Sequence, residues 1–195
     1  MLEALAKRAA DALLDAEVFG LRLDAPVTFK SGIIAPVYLD NRRLIYYPDA
    51  WHTVIAALHE FVKVTAGPFD VLAGIETAGI PHSAVLAYVM RRPSVFVRKA
   101  SKGHGLQQRI EGGEVAGQRV LLLEDQITTG GSSLSGVEAL REAGATVDNC
   151  VALTSYDFAE SQEAFAAAGV KLHILVPFPR LIAAAAERGL IDADQ

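Results

Sequence analysis

A chain of 195 residues can bury one sizeable core but has little room for a second full domain. With 51% hydrophobic and 21% charged residues and a formal net charge of -5, it reads as an ordinary globular protein whose surface is not built throughout for nucleic acid. Its one cysteine, Cys150, excludes an internal disulfide, and no apolar run reaches the ~18 residues needed to cross a bilayer.

The N-terminal stretch MLEALAKRAADALLDAEVF carries acids throughout and repeats its leucines at helical spacing, which predicts a first helix to about Asp15 and not a signal peptide. VTFKSGIIAPVYLDNRRL mixes β-branched, aromatic and turn residues and predicts irregular strands or a hairpin. PDAWHTVIAALHEFVKV follows as a helix, with Pro48 at its start and Asp49 in its first turn. From Phe69 the rhythm becomes regular. DVLAGI, SVFVRK, RVLLLE, TVDNCVALTSY and VKLHILV read as buried strands, and the helices AGIPHSAVLAYVMRR, SSLSGVEALREAGA and AESQEAFAAAG lie between them, with FPRLIAAAAERG closing the chain. Continuous apolar strands alternating with helices predict an α/β fold: a central, mostly parallel sheet with helices on both faces. The extra N-terminal elements, mainly residues 1–45, are expected to form a small hood on a single domain spanning 1–195. Cys150 sits in NCVALT, a buried-strand pattern in which a thiol is inert. The expectation is a soluble cytoplasmic protein with neither nucleic acid nor membrane as partner.

Three loops at the carboxyl edge of such a sheet carry chemistry. In VLLLEDQITTGGSSL the strand is expected to end after Leu123, and Thr128-Thr129-Gly130-Gly131-Ser132 opens a helix. Backbone N–H groups, hydroxyls and the helix dipole make an anion site there. It is neither a Walker A loop nor a dinucleotide fingerprint, because both glycine spacings are missing. Glu124 and Asp125 would repel a phosphate beside them, whereas sugar hydroxyls donate hydrogen bonds to carboxylates. The stretch therefore reads as a ribose 5-phosphate cradle. In VRKASKGHGLQQRIEGG, Arg98, Lys99, Lys102, His104 and Arg109 precede any acid, and little in the segment can be buried. A long cationic loop of that kind reads as a lid for a polyanion such as pyrophosphate. In AGIETAGIPHSA the strand is expected to end at Gly74, leaving Ile75 to Gly79 to offer amides to a second anion. Glu76 is an odd choice there, and His82 reads as a packing or capping residue. Two anion sites, a ribose site and a cationic lid together suit a phosphorylated sugar activated with pyrophosphate.

These segments resemble the type I phosphoribosyltransferases, and among them the orotate phosphoribosyltransferases. VLLLEDQITTGGSS is similar to the phosphoribosyl pyrophosphate motif, FVRKASKGHGLQQRIEGG to the catalytic loop, TFKSGIIAPVYLDNRRL to the N-terminal substrate segment and GIETAGIPHSA to the pyrophosphate loop. The resemblance implies Mg²⁺-dependent transfer of phosphoribose from phosphoribosyl pyrophosphate to orotate, in pyrimidine synthesis. It implies pyrophosphate contacts from Arg98, Lys99, Lys102 and His104, the last three being catalytic. Glu124 and Asp125 would take the ribose hydroxyls, and Gln126, Ile127, Thr128, Thr129, Gly130, Gly131 and Ser132 would complete the phosphoribosyl pyrophosphate site. Lys30, Tyr38 and Thr128 would meet orotate. Mg²⁺ would be held mainly through the substrate, with Asp125 as the candidate protein ligand. The resemblance also implies a homodimer in which the lid closes over the neighbouring subunit's site. Ser155-Tyr156-Asp157-Phe158 stands where part of the family carries an orotate-binding arginine. A phosphoribosyltransferase for a purine or uracil, and a non-catalytic regulator that binds phosphoribosyl pyrophosphate, are the alternatives. The RKxxKxHG lid and the absence of a basic DNA-binding extension weigh against them.

Overall fold

The computed structural model describes residues 1–21, 24, 26–28, 32, 34–99 and 109–191. Lys30, Lys102 and His104 therefore lie outside the described residues. The main sheet has six strands in the order β10-β9-β8-β5-β6-β7. They are β5 (Val71–Ile75), β6 (Ser94–Val97), β7 (Ile110–Glu111), β8 (Arg119–Ile127), β9 (Thr146–Ser155) and β10 (Lys171–Pro177). All pairings are parallel except that of β7 with β6.

Alternation along these strands builds two cores. Leu72, Leu121, Leu123, Val151 and Leu153 face α1 (Leu2–Asp15), α2 (Pro48–Thr65), α3 (Gly79–Met90) and α6 (Phe178–Glu187). Val71, Ala73, Ile75, Val120, Leu122, Cys150 and Ala152 face α4 (Gly131–Glu142) and α5 (Ala159–Ala167). Both faces are covered, which is why the strands read as unbroken apolar runs. Each buried leucine contributes roughly 1.5–3 kcal/mol of hydrophobic stabilisation. Cys150 is fully buried, as its surroundings in the sequence suggest, and burial pushes its thiol pKa well up.

The N-terminal part divides in two. α1 packs on α2, α6 and the β10 edge of the main sheet, and so belongs to the body of the fold. Beyond it, β1 (Phe19–Leu21) pairs antiparallel with β4 (Val37–Leu39), and β2 (Val27–Thr28) with β3 (Ile34–Ala35). A 3-10 segment, Asn41–Tyr46, then leads into α2.

Three boundaries differ from expectation. β8 continues past Leu123 to Ile127, because β9 offers a ladder there: Glu124 pairs with Ala152, Gln126 with Thr154 and Ile127 with Ser155. Backbone pairing takes no account of side-chain charge, so both acids stand on the strand itself. β5 likewise runs one residue further, to Ile75, opposite Val97 of β6. The far end of the expected lid is structured: β7 returns along β6, and Arg109 donates to the Arg98 carbonyl at 2.8 Å and to Ser135 of α4.

Candidate active site

β5 has β6 on one side and β8 on the other, so the strand order reverses between β5 and β8. At such a switch point the loops leaving the two strands diverge and open a crevice at the carboxyl edge. The cleft found there has a volume of about 610 Å³. Its floor is Glu124 to Ser133; Glu76, Thr77, Ala78 and Lys99 line one flank, and Tyr38 to Arg42 with Tyr156 line the other. A groove of similar size, about 640 Å³, lies between α1 and the start of α2. Two of its charges, Lys7 and Asp11, pair with each other, and it has no glycine turn, so size alone does not mark the site.

The glycine turn takes its shape from two needs. Gly130 is the N-cap of α4 with φ 86° and ψ -3°, a left-handed conformation that costs a residue with Cβ about 1–2 kcal/mol. Gly131 follows with open space where a Cβ would point. α4 has no acid in its first turn and no side-chain cap, which leaves its leading N–H groups for a ligand. Thr128, Thr129 and Ser132 add hydroxyls along the same rim.

Glu124 is 5% exposed. One carboxylate oxygen accepts from the Asp125 N–H at 3.2 Å, and the other from the Ser133 hydroxyl at 3.1 Å. Burial first, then the charge of Asp125, pushes its pKa well above the usual carboxylate range. Burial raises that of Asp125 as well, against hydrogen bonds and the nearby charge of Arg42 that lower it. Two buried carboxyls side by side cannot both ionise cheaply unless something with donors or positive charge joins them.

The flanks explain residues that looked misplaced. Glu76 accepts from the Lys99 backbone N–H at 2.9 Å, so it holds the start of the basic segment. Arg98 stands at the root of the β6–β7 hairpin, its Nη1 3.7 Å from Glu111, and is not among the residues lining this cleft. Lys99 does line it. His82 is buried as expected; Trp51 donates to its Nδ1 at 3.1 Å, and burial lowers its pKa to about 4.

Three residues that sequence reasoning did not place in the site are there. Asn41, 1% exposed, donates to the Asp125 carbonyl at 2.7 Å and to Thr154 Oγ1 at 2.8 Å, tying the 3-10 segment to β8 and β9. Arg42 and Tyr156 line the flank beside it. Arg42 had a usable signal, an acid two residues before it in LDNRR, and Tyr156 another, since Ser155 to Phe158 stands where part of the family carries an orotate-binding arginine; Asn41 had none.

A glycine-capped helix start facing paired buried acids, across a switch point, is the arrangement of a phosphoribosyl transferase domain, and residues 51–164 match that family. The orotate phosphoribosyltransferase of Coxiella burnetii is 41% identical over 180 residues, spanning 92% of this chain and 86% of that protein. The chain belongs to the orotate phosphoribosyltransferase family. Among solved structures, orotate phosphoribosyltransferase from Aeropyrum pernix superposes with a TM-score of 0.80 at 27% identity, covering 94% of this chain and 99% of the other. That of Mycobacterium tuberculosis in complex with 5-phospho-α-D-ribosyl 1-diphosphate superposes with a TM-score of 0.67 at 28% identity, covering 90% and 98%.

Proposed function

We propose that the protein transfers phosphoribose from phosphoribosyl pyrophosphate to orotate, giving orotidine 5′-monophosphate and pyrophosphate in pyrimidine synthesis. The observation that carries this reading is the pairing of buried Glu124 with half-buried Asp125 on the strand that leads into the Gly130–Gly131 helix start. The helix N–H groups and the hydroxyls of Thr128, Thr129 and Ser132 hold the 5′-phosphate, and the acids accept from the ribose hydroxyls. The ring nitrogen of orotate attacks the anomeric carbon, its proton passes to solvent as the bond forms, and the bond to pyrophosphate breaks with the electron pair leaving on the pyrophosphate oxygen. Positive charge develops on the sugar, where the two carboxylates stabilise it. Negative charge leaves with pyrophosphate toward Lys99, Lys102 and His104, with Arg98 supporting them. Lys30, Tyr38 and Thr128 place the base.

The described residues contain no group of three His, Cys, Asp or Glu that could hold a metal ion. Mg²⁺ takes one or two carboxylates together with substrate oxygens, and a paired buried acid is relieved by a hard cation. The donors present therefore fit Mg²⁺ bound through Asp125 and the substrate. When bound, it supplies charge neutralisation to the pyrophosphate.

We also read the chain as one domain whose hood, the part of residues 1–45 that reaches the cleft, covers the base. α3 supports a homodimer: it leaves the large side chains of Tyr88 and Val89 exposed side by side, a patch that a second copy would bury. In that pairing the basic lid serves the neighbouring site. No described helix is long and apolar enough to cross a membrane, and we place the protein in the cytoplasm.

The test is release of pyrophosphate by purified protein with Mg²⁺ and phosphoribosyl pyrophosphate, offered orotate, uracil or purine bases in turn. Orotate is expected to be turned over. Turnover of a purine instead, or of no base, would overturn the reading.

A further inference from the structure

Orotate differs from uracil by a carboxylate, so a site that selects it needs a donor for that group. Among the described residues lining the cleft, the cations are Arg42 and Lys99. Lys99 follows β6 beside Glu76, on the flank assigned to pyrophosphate. Arg42 stands on the opposite flank, with Tyr38 and Asp40.

We propose that Arg42 is a specificity-determining residue that binds the carboxylate of the pyrimidine substrate. The inference rests on the reading of the cleft given above. Asp40 holds the guanidinium by two charge-assisted bonds, from Nε to Oδ1 at 2.6 Å and from Nη2 to Oδ2 at 3.0 Å. Nη2 also donates to the Tyr38 hydroxyl at 3.0 Å. A guanidinium has five N–H groups, and these contacts use Nε and Nη2, leaving the Nη1 edge for a ligand. The Asp40 clamp orients that edge before any substrate arrives, which lowers the entropy lost on binding. Its chain neighbour Asn41 donates to the Asp125 carbonyl at 2.7 Å, which ties the segment carrying Arg42 to the acid pair in the same cleft.

Arg42 is 62% exposed, so its charge alone is screened by water. What it contributes is a directional, charge-assisted bond that strengthens once the base excludes solvent. The pair of product nucleotides isolates that bond, since orotidine 5′-monophosphate and uridine 5′-monophosphate differ only in the carboxylate.

Arg42→Gln is expected to weaken calorimetrically measured binding of orotidine 5′-monophosphate by about 10- to 100-fold, and binding of uridine 5′-monophosphate by less than about 3-fold. The KM for orotate should rise in parallel, while the KM for phosphoribosyl pyrophosphate stays within about 3-fold. Arg42→Lys, which keeps the charge and loses the fork, should recover part of the discrimination. Equal loss for both nucleotides, or no loss for either, overturns the proposal and returns the carboxylate to another group such as Lys30. A wild-type protein that binds neither nucleotide would instead overturn the functional reading beneath it.

Discussion

Replacing Gly130 by alanine should destabilise the protein, for two reasons that can be added. At φ 86° an added Cβ costs about 1–2 kcal/mol in backbone strain. That Cβ would also lie 2.7 Å from Cε2 and 3.3 Å from Cδ2 of Phe165. Phe165 is 1% exposed and wedged under the turn, so its ring has nowhere to swing, and overpacking of this kind costs about 1–3 kcal/mol. The expected loss is about 2–5 kcal/mol, a large share of the roughly 5–15 kcal/mol that holds a domain folded. Urea unfolding followed by far-UV circular dichroism measures it, with the midpoint falling and the slope unchanged. Gly131→Ala is the matched control. Its φ is not left-handed and its Cβ meets open space, so stability should hold or rise by roughly 0.5–1 kcal/mol. The same methyl group points into the room a phosphate would use, so affinity for phosphoribosyl pyrophosphate should fall. A Gly130→Ala protein that unfolds within about 1 kcal/mol of the wild type would refute the strain-and-clash argument.

Glu124→Gln keeps the shape and removes the buried charge; its oxygen can still accept from the Asp125 N–H, while its amide NH2 would donate to the Ser133 hydroxyl instead of accepting from it. A carboxyl whose folded pKa is raised stabilises the protein below its unfolded pKa, and that contribution is lost as pH rises through the folded value. The variant should therefore be more heat-stable than the wild type near neutral pH and less so relative to it near pH ~4, while turnover falls by about 100-fold; paired melting curves and kinetics check both. His82 titrates in the opposite sense. With its folded pKa near 4 against an ordinary 6.5, stability falls by about 3 kcal/mol as pH drops through that window, and His82→Gln should flatten urea midpoints measured between those limits. Lys102→Ala should lower kcat by about 100-fold if the lysine meets the departing pyrophosphate as proposed; a few-fold effect on kcat would remove Lys102 from the mechanism.

The α/β alternation was legible because β5, β8 and β9 are buried on both faces for most of their length and because α2 and α6 each carry a proline in the first turn. Pro48 and Asp49 open α2 where expected, and FPRLIAAAAE closes the chain as α6. What escaped was short or depended on a partner. β1 has three residues and β7 two, too few for any period to register, and each exists because a neighbouring strand offers a ladder. The extension of β8 through Glu124 to Ile127 was hidden for the same reason, since charged residues at a strand end resemble a loop until β9 is seen beside them. In the site, the glycine turn and its acids were readable from adjacency in sequence. Asn41 was not, because its partners, Asp125 and Thr154, lie 84 and 113 residues away.

Placing both acids on the strand resolves the conflict that the sequence posed. On β8 they precede the turn and are held in place: Glu124 by the Asp125 N–H and by the hydroxyl of Ser133 in the first turn of α4, and the Asp125 backbone by Asn41 and Thr154. Gln126 to Thr129 separate the acids from the Gly130–Gly131 turn along the chain, and both line one cleft, so a ligand anionic at one end and rich in hydroxyls further along can engage each. An inorganic phosphate would gain the cradle and leave the acids unrelieved. A phosphorylated sugar of the kind proposed above offers an anion to the cradle and hydroxyl donors to the acids, whose pKa values burial raises.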